Sequence, residues 1–398
     1  MSFLIVGLAV LSLLYGYIGL RILVPSPFST ITQVILWAVL AIFLLMPPAS
    51  LVFRFSGFKP FWSDAFAWAA YIGLGFFSLV FAFLVARDLL LLVTVSADYT
   101  FSFIKTLLGN SGASSLLLSP VRRHFLVNVT NLGILGITAL LCMYGFYEAR
   151  RIPRTVQISV PVKDLPSDLE GFRIAQITDL HVGPTVKGGF VQSVVDRVKS
   201  LHPDAIAVTG DVVDGSVKEI GKDVAPLGEL SAPFGKYFIT GNHEYYAGVE
   251  AWIEEMKRLG FTVLLNEHRV IERGDSSILL AGVTDYSAGR FNKNWTSSPE
   301  AALTGAPPCD VKIILAHQPS SIFASSRAGF DLQITGHTHG GQYFPYKYLV
   351  GLHEPYVAGW HLHDKTFIYV SRGAGYWGPP LRIGAPSEIT VFTLNRAR

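Results

Sequence analysis

The chain falls into two regions that differ in how apolar and polar positions alternate. Up to about residue 150 the apolar side chains run in long, nearly unbroken stretches; beyond it they come in short bursts of four to seven residues closed by Gly, Asp, His or Asn. Four long stretches, 3–23, 31–53, 65–86 and 125–147, are sufficient to cross about 30 Å of hydrocarbon at about 1.5 Å per residue. They predict an N-terminal four-helix transmembrane bundle over 1–150. The first has no basic n-region and no small-residue cleavage site, and further spans follow, so it reads as a retained anchor rather than a cleaved signal peptide. Pro47-Pro48 predicts a kink or an early end to the second, leaving 49–53 at the interface. Between the third and fourth, 89–95 with Phe101, Phe103 and Ile104 predicts an interfacial helix or a loop packed on the bundle, then a Ser/Gly-rich turn at 109–115.

After residue 150 the bursts at 172–178, 205–209, 237–240, 313–316 and 332–335 read as buried strands, each opening into a polar loop. Helical segments at 189–199, 249–259 and 319–328 separate them. Strand, loop and helix in repetition predict an α/β layered domain over 151–398, with ligands gathered at strand ends. Further strands at 278–283, 367–371 and 389–394 exceed one modest sheet, which favours two sheets facing each other between helices. The domain boundary is placed at about Arg150, where a basic, proline-containing segment leaves the membrane.

Charge is distributed unevenly. Of 32 Lys+Arg and 29 Asp+Glu, residues 1–150 hold eight and four, so the second region is close to neutral. A near-neutral domain lacks the basic surface that tracks a phosphate backbone, and long nucleic acid is not an expected partner. The positive-inside rule gives no orientation: Arg54, Lys59, Arg150, Arg151 and Arg154 flank one side, and Arg21, Arg87, Lys105, Arg122 and Arg123 the other. The predicted span interiors contain no Asp, Glu or Lys, which favours an anchor over a proton-coupled transporter. Cys142 and Cys309 lie in such different surroundings that no disulfide framework follows.

Five clusters carry the candidate chemistry: Asp179-Leu180-His181, Gly210-Asp211-Val212-Val213-Asp214-Gly215, Gly241-Asn242-His243-Glu244, His317, and Gly336-His337-Thr338-His339-Gly340-Gly341. Five of the 11 histidines fall in them. Carboxylate, imidazole and amide groups at strand ends, with no thiolate, suit Mn, Fe, Zn or Mg rather than a structural cysteine-type zinc, and abundant imidazole favours a transition metal over Mg. Singly each piece is weak. A lone His317 is commonly a satisfied core residue, Asp211 and Asp214 suit turns beside glycine, and Asn242 suits a left-handed turn. The ordered set makes coincidence improbable.

With these motifs the sequence resembles the calcineurin-like metallophosphoesterase superfamily, whose signature is D-x-H, G-D-x-x-D, G-N-H-E/D, a lone His and G-H-x-H, over about 173–395. Gly-Asn-His-Glu-Tyr-Tyr at 241–246, Ala-His-Gln-Pro at 316–319, His-Thr-His-Gly-Gly-Gln at 337–342 and Gly-Tyr-Trp-Gly-Pro-Pro at 375–380 are similar to its membrane-associated phosphodiesterase-like branch. The resemblance implies a four-layer α/β/β/α sandwich holding two divalent metal ions. Asp179, His181, Asp211 and His339 would hold the first, Asp211, Asn242, His317 and His337 the second, with Asp211 bridging. It implies hydrolysis of a phosphodiester or pyrophosphate by a metal-bridging hydroxide, with His243 as proton donor to the leaving oxygen. Asp214 and Glu244 are read as orienting those groups or as turn and cap residues. Tyr245, Tyr246, Tyr376 and Trp377 are read as an aromatic rim or as ordinary packing. The anchor points to membrane lipid as a partner and to a lipid-linked or envelope-derived substrate, and the branch resemblance leans to the outer face. The alternatives are a phosphomonoesterase or protein phosphatase, and a membrane scaffold or transporter regulated by its hydrolase domain.

Overall fold

The computed structural model describes residues 2–55, 60–107 and 120–397. It divides into two compact units, with the division between Met143 and Tyr144. The turn expected at 109–115, Lys59 and the side chains of Arg122 and Arg123 lie outside what is described.

The first unit is built from helices α1 (Ser2–Ile22), α2 (Thr30–Phe55), α3 (Ser63–Leu107) and most of α4 (Pro120–Arg150), each long and apolar enough to cross a membrane. Two features depart from the sequence reading. Helix α2 does not end at Pro47-Pro48 but continues to Phe55. One turn earlier Phe43 packs against Gly73 and the Phe77 ring of α3, and such tertiary contacts carry a helix past a local breaker. The segment at 89–107 is neither a separate interfacial helix nor a loop; it prolongs α3 to 45 residues. No Gly or Pro occurs between Phe76 and Leu107 to stop it. At about 1.5 Å per residue, α3 is about twice the length needed to span a bilayer.

The prolongation places Arg87 and Asp88 in mid-helix, and their charges are met inside the unit. Asp88 pairs with Arg21 of α1 at 2.6 Å and accepts from the Tyr17 hydroxyl at 2.5 Å, while Arg87 donates to Asn131 of α4. Asn131 in turn donates to the Arg21 carbonyl at 3.0 Å. Charged groups on an apolar helix are stabilised by such partners, and here they tie three helices together.

The second unit runs from Tyr144. Its first half contains β1 (Arg154–Val162), β2 (Arg173–Ile177), α5 (Gly188–Ser200), β3 (Ala205–Thr209), α6 (Val217–Val224), β4 (Lys236–Ile239), α7 (Asn242–Ala247), α8 (Val249–Arg258) and β5 (Thr262–Val263). The second half contains β6 (Glu267–Arg273), β7 (Ser276–Gly282), β8 (Val311–Leu315), α9 (Ile322–Ala328), β9 (Leu332–Thr335), α10 (Lys347–Val350), β10 (Gly359–His363), β11 (Thr366–Val370) and β12 (Glu388–Arg396). They form two six-stranded sheets, β1-β12-β2-β3-β4-β5 and β10-β11-β9-β8-β7-β6. In each the inner strands are parallel, and β12 crosses back to join the first sheet antiparallel to β2.

Alternate residues of these strands fill different cores. Ile174, Ala207 and Ile239 of one sheet meet Ile278, Leu280, Ile313 and Ile334 of the other in the inter-sheet layer. Ala175, Ile177, Ile206 and Val208 face Val191, Val195 and Val198 of α5 and Trp252 and Met256 of α8. On the far side Leu279, Ala281 and Ile314 pack under Ala302 and Phe330, and Ile368 and Val370 under Ile322 of α9. Burial on both faces is why these strands read as continuous apolar runs. The arrangement is the four-layer α/β/β/α sandwich. Leu280 is fully buried between the sheets, so Leu280→Ala is expected to lower the unfolding free energy by about 2–5 kcal/mol, read as a fall in denaturation midpoint by tryptophan fluorescence.

Candidate metal centre

The C-terminal ends of β2, β3, β4, β8 and β9 open into the loops that carry the five clusters. Strand geometry ends there abruptly: Asp179, His181, Asp211, His337 and His339 all have positive φ, between 51° and 74°. That region is costly for residues with a Cβ and is held only where surrounding contacts fix it. Each left-handed residue turns the chain sharply, so side chains from neighbouring strands converge instead of continuing along the sheet. Two glycines make room. A Cβ on Gly241 would strike the Asp211 carboxylate, and one on Gly336 would strike Thr178 and Asp179.

Asp211 is the hub. Its Oδ2 lies 3.1 Å from His317 Nε2, 3.8 Å from His181 Nε2 and 3.9 Å from His243 Nε2, while its Oδ1 accepts from the His243 backbone N–H at 2.9 Å. Burial alone would raise its pKa, but the imidazoles of His317 and His243 hold it well below the usual carboxylate range. On one side His181 Nε2 and His339 Nε2 approach to 3.0 Å, with Asp179 Oδ1 3.5 Å from His339. On the other, His337 Nδ1 lies 3.3 Å from His317 Nε2. Two three-residue groups, Asp179/His181/His339 and Asp211/His317/His337, each bring their donor atoms within 4.8 Å of one another, and His181/Asp211/His243 joins them.

This donor set fits divalent metal. Burial, with a charged His317 beside it, lowers the pKa of His337 to about 3, and burial with Arg382 beside it holds His339 well below its usual range, so both rings keep lone pairs at neutral pH. Burial works against protonation of His317, but Asp211 holds it well above its usual range, so a cation there would have to displace its proton. Asn242 Oδ1 is buried and accepts no hydrogen bond. A buried carbonyl oxygen without a partner among carboxylates and imidazoles is free to face a cation.

Supporting groups fix the candidate donor atoms. Asp214 Oδ1 accepts from His243 Nδ1 at 2.6 Å and faces His181 Nδ1 at 3.3 Å, turning both Nε2 atoms toward Asp211. Glu244 accepts from the backbone N–H groups of Asp211, Val212 and Gly241 at 3.0, 2.8 and 2.6 Å, locking the β3 and β4 loops together. Burial, reinforced by Asp211, pushes its pKa up to about 7. His317 Nδ1 stands 2.8 Å from the Thr209 carbonyl, which leaves Nε2 for Asp211. Of the aromatic residues, Tyr246 and Trp377 stand exposed at the rim with their rings edge-on to His243, whereas Tyr245 and Tyr376 are buried. Asp285 is buried against Ser287 and Gln318, and Arg372 is paired with Glu388 at 2.9 Å.

Two residues that brace the candidate site escaped the sequence reading. Arg382 is fully buried; it donates to the carbonyls of His339, Gly375 and Ala385, and its Nη2 lies 3.1 Å from His339 Nδ1. Glu354 accepts from the Ser320 hydroxyl and N–H and places Oε1 3.8 Å from His337 Nε2. Neither sits in a motif; the one signal was Arg382 following the apolar 375–381 loop.

Residues 172–341 match the calcineurin-like phosphoesterase family profile. A Helicobacter pylori protein described as an uncharacterized metallophosphoesterase is 35% identical over 81% of this chain and 90% of its own length. The chain belongs to the calcineurin-like metallophosphoesterases. A transmembrane protein with metallophosphoesterase domain from Danio rerio is 38% identical over 66% of this chain, and one from Bos taurus 36%. This chain spans 62% and 61% of those two relatives. The solved calcineurin-like phosphoesterase YfkN from Bacillus subtilis is similar at 16% identity and TM-score 0.37, over 56% of this chain and 91% of that one.

Arg382→Met leaves carbonyls of this metallophosphoesterase without a donor and His339 without its brace. It is expected to cost about 3 kcal/mol of stability and to reduce bound metal after purification, measured by thermal denaturation and elemental analysis.

Proposed function

We propose that the chain is a membrane-anchored, dinuclear-metal-dependent phosphoester hydrolase acting on a phosphodiester or pyrophosphate, with 151–398 as its catalytic domain and 1–150 as a multi-pass anchor. The observation that carries this reading is the position of Asp211 Oδ2 between two separate groups of nitrogen and oxygen donors. One carboxylate between two groups is suited to bridging a pair of cations. Asp179, His181, Asp211 and His339 would hold one, Asp211, Asn242, His317 and His337 the other, with Mn, Fe or Zn favoured over Mg by four imidazoles.

When bound, such a pair supplies Lewis acidity to the phosphoryl oxygens and an activated water for in-line attack. The chain's own residues supply the rest. Asp214 orients His243, whose Nε2 faces the same space as Asp211 Oδ2. As the water oxygen bonds to phosphorus and the bond to the leaving oxygen breaks, an imidazolium at His243 gives its Nε2 proton to that oxygen. Tyr246 and Trp377 beside it offer flat apolar surface for the leaving group.

Full-length protein assayed with Mn²⁺ is expected to hydrolyse an aryl phosphodiester faster than an aryl monoester, with activity lost on chelation and regained on metal addition. Preference for the monoester would make it a phosphomonoesterase, and no hydrolysis with any metal would favour a scaffold. For Asp211→Asn, metal content and activity should fall together. For His243→Ala, bound metal should persist while turnover of a poor leaving group falls by roughly a hundredfold or more. An activated aryl leaving group should be affected far less, and equal loss on both substrates would argue against proton donation.

A further inference from the structure

Residues 343–352 leave the loop that carries His337 and His339 and return to it at Glu354. Their side chains are apolar except Lys347, and Phe344, Tyr348, Leu349 and Leu352 are exposed, Leu352 at 75%. Backbone hydrogen bonding is internal: the N–H groups of Tyr346 and of each residue from Tyr348 to Glu354 donate to carbonyls three or four positions back. An exposed apolar turn with most of its backbone N–H groups bonded is suited to low-dielectric surroundings.

Its place in the fold identifies those surroundings. Tyr343 bridges to Ile383 and Gly384, and the Arg382 N–H donates to the Gly145 carbonyl at 2.9 Å. A Cβ built on Gly145 would lie 2.9 Å from Ile383 and 3.3 Å from Leu381. Gly145 sits near the end of the apolar helix α4, between exposed Tyr144, Phe146 and Tyr147 and just ahead of Arg150, Arg151 and Arg154. Aromatic residues followed by arginines mark the headgroup level of a spanning helix. All these contacts lie within the Tyr144–Arg398 unit. Trp377, exposed on the rim, is joined to Gln342 by two hydrogen bonds of 2.9 and 3.0 Å.

We propose that residues 343–352, with Trp377, form a docking element that dips into the bilayer at the level marked by Tyr144–Tyr147, and that the metal centre therefore takes a phosphoester carried on a membrane lipid. Lys347, alone among apolar neighbours, reaches back to the headgroups. Both ends of the element are fixed at the site, one at Gln342 after His339 and one at Glu354 beside His337, so seating it in lipid sets the site opening at headgroup depth. The substrate class rests on the hydrolase reading above; the insertion does not.

The test uses full-length protein in vesicles of equimolar phosphatidylcholine and phosphatidylglycerol. Leu352→Cys, in a background with Cys142→Ala and Cys309→Ala, is labelled with an environment-sensitive fluorophore. Blue-shifted emission, quenched by lipids spin-labelled near the headgroup, is expected with or without metal. Water-like emission, or a blue shift that no labelled lipid quenches, would overturn the docking, the latter showing a protein contact or a second copy instead. Leu349→Asp with Leu352→Asp should lower hydrolysis of a vesicle-borne lipid phosphodiester by roughly tenfold or more through KM, sparing a water-soluble aryl phosphodiester. Equal effects on both would overturn the lipid substrate class. Inactivity of the parent on every phosphoester would instead refute the hydrolase reading and leave the quenching result standing.

Discussion

Bringing two buried carboxylates, four imidazoles and an amide into one small volume is unfavourable unless each group is oriented and matched, and the sandwich is arranged to do that. Asp179, His181, Asp211, His337 and His339 hold left-handed backbone at strand ends, a strain offset as neighbouring loops bond one another through Glu244, Thr178 and Arg382. The layered core supplies the rigidity. Strands β2, β3, β8 and β9 are buried on both faces, so their ends cannot shift to relieve the turn.

Much of this was legible in the sequence because apolar runs ended at chemistry-bearing residues. Phe172 to Thr178 before Asp179 and Leu332 to Thr335 before Gly336 each showed a strand and its loop at once. Strands β1, β6 and β10 were not legible. Lying at sheet edges or carrying charged residues such as Glu267, Arg269 and Glu272, they lack a continuous apolar signature. The groups supporting the site were half legible. Asp214 and Glu244 sit inside motifs, whereas Arg382 and Glu354 reach their partners across 43 and 17 residues of chain and acquire meaning only from tertiary contact.

The membrane region shows the same division between local and long-range information. Length and hydropathy located four helices, with the third span placed at 65–86, short of the charged pair Arg87-Asp88. The partners that make the pair tolerable, Arg21, Tyr17 and Asn131, belong to other helices, so no window along α3 could show how its charges are met.

The spacing of the site along the chain sets when it can exist. His337 N–H bonds to Asp179 across 158 residues, and His181 meets His339 over the same separation. Closing loops of that length precedes any reward from the contact, so both sheets must form and dock before the cluster assembles. In a small zinc module the metal nucleates the fold, whereas here the long loop closures make a fold that precedes metal binding the expected order. Metal starvation should therefore yield folded, reloadable protein rather than an unfolded chain.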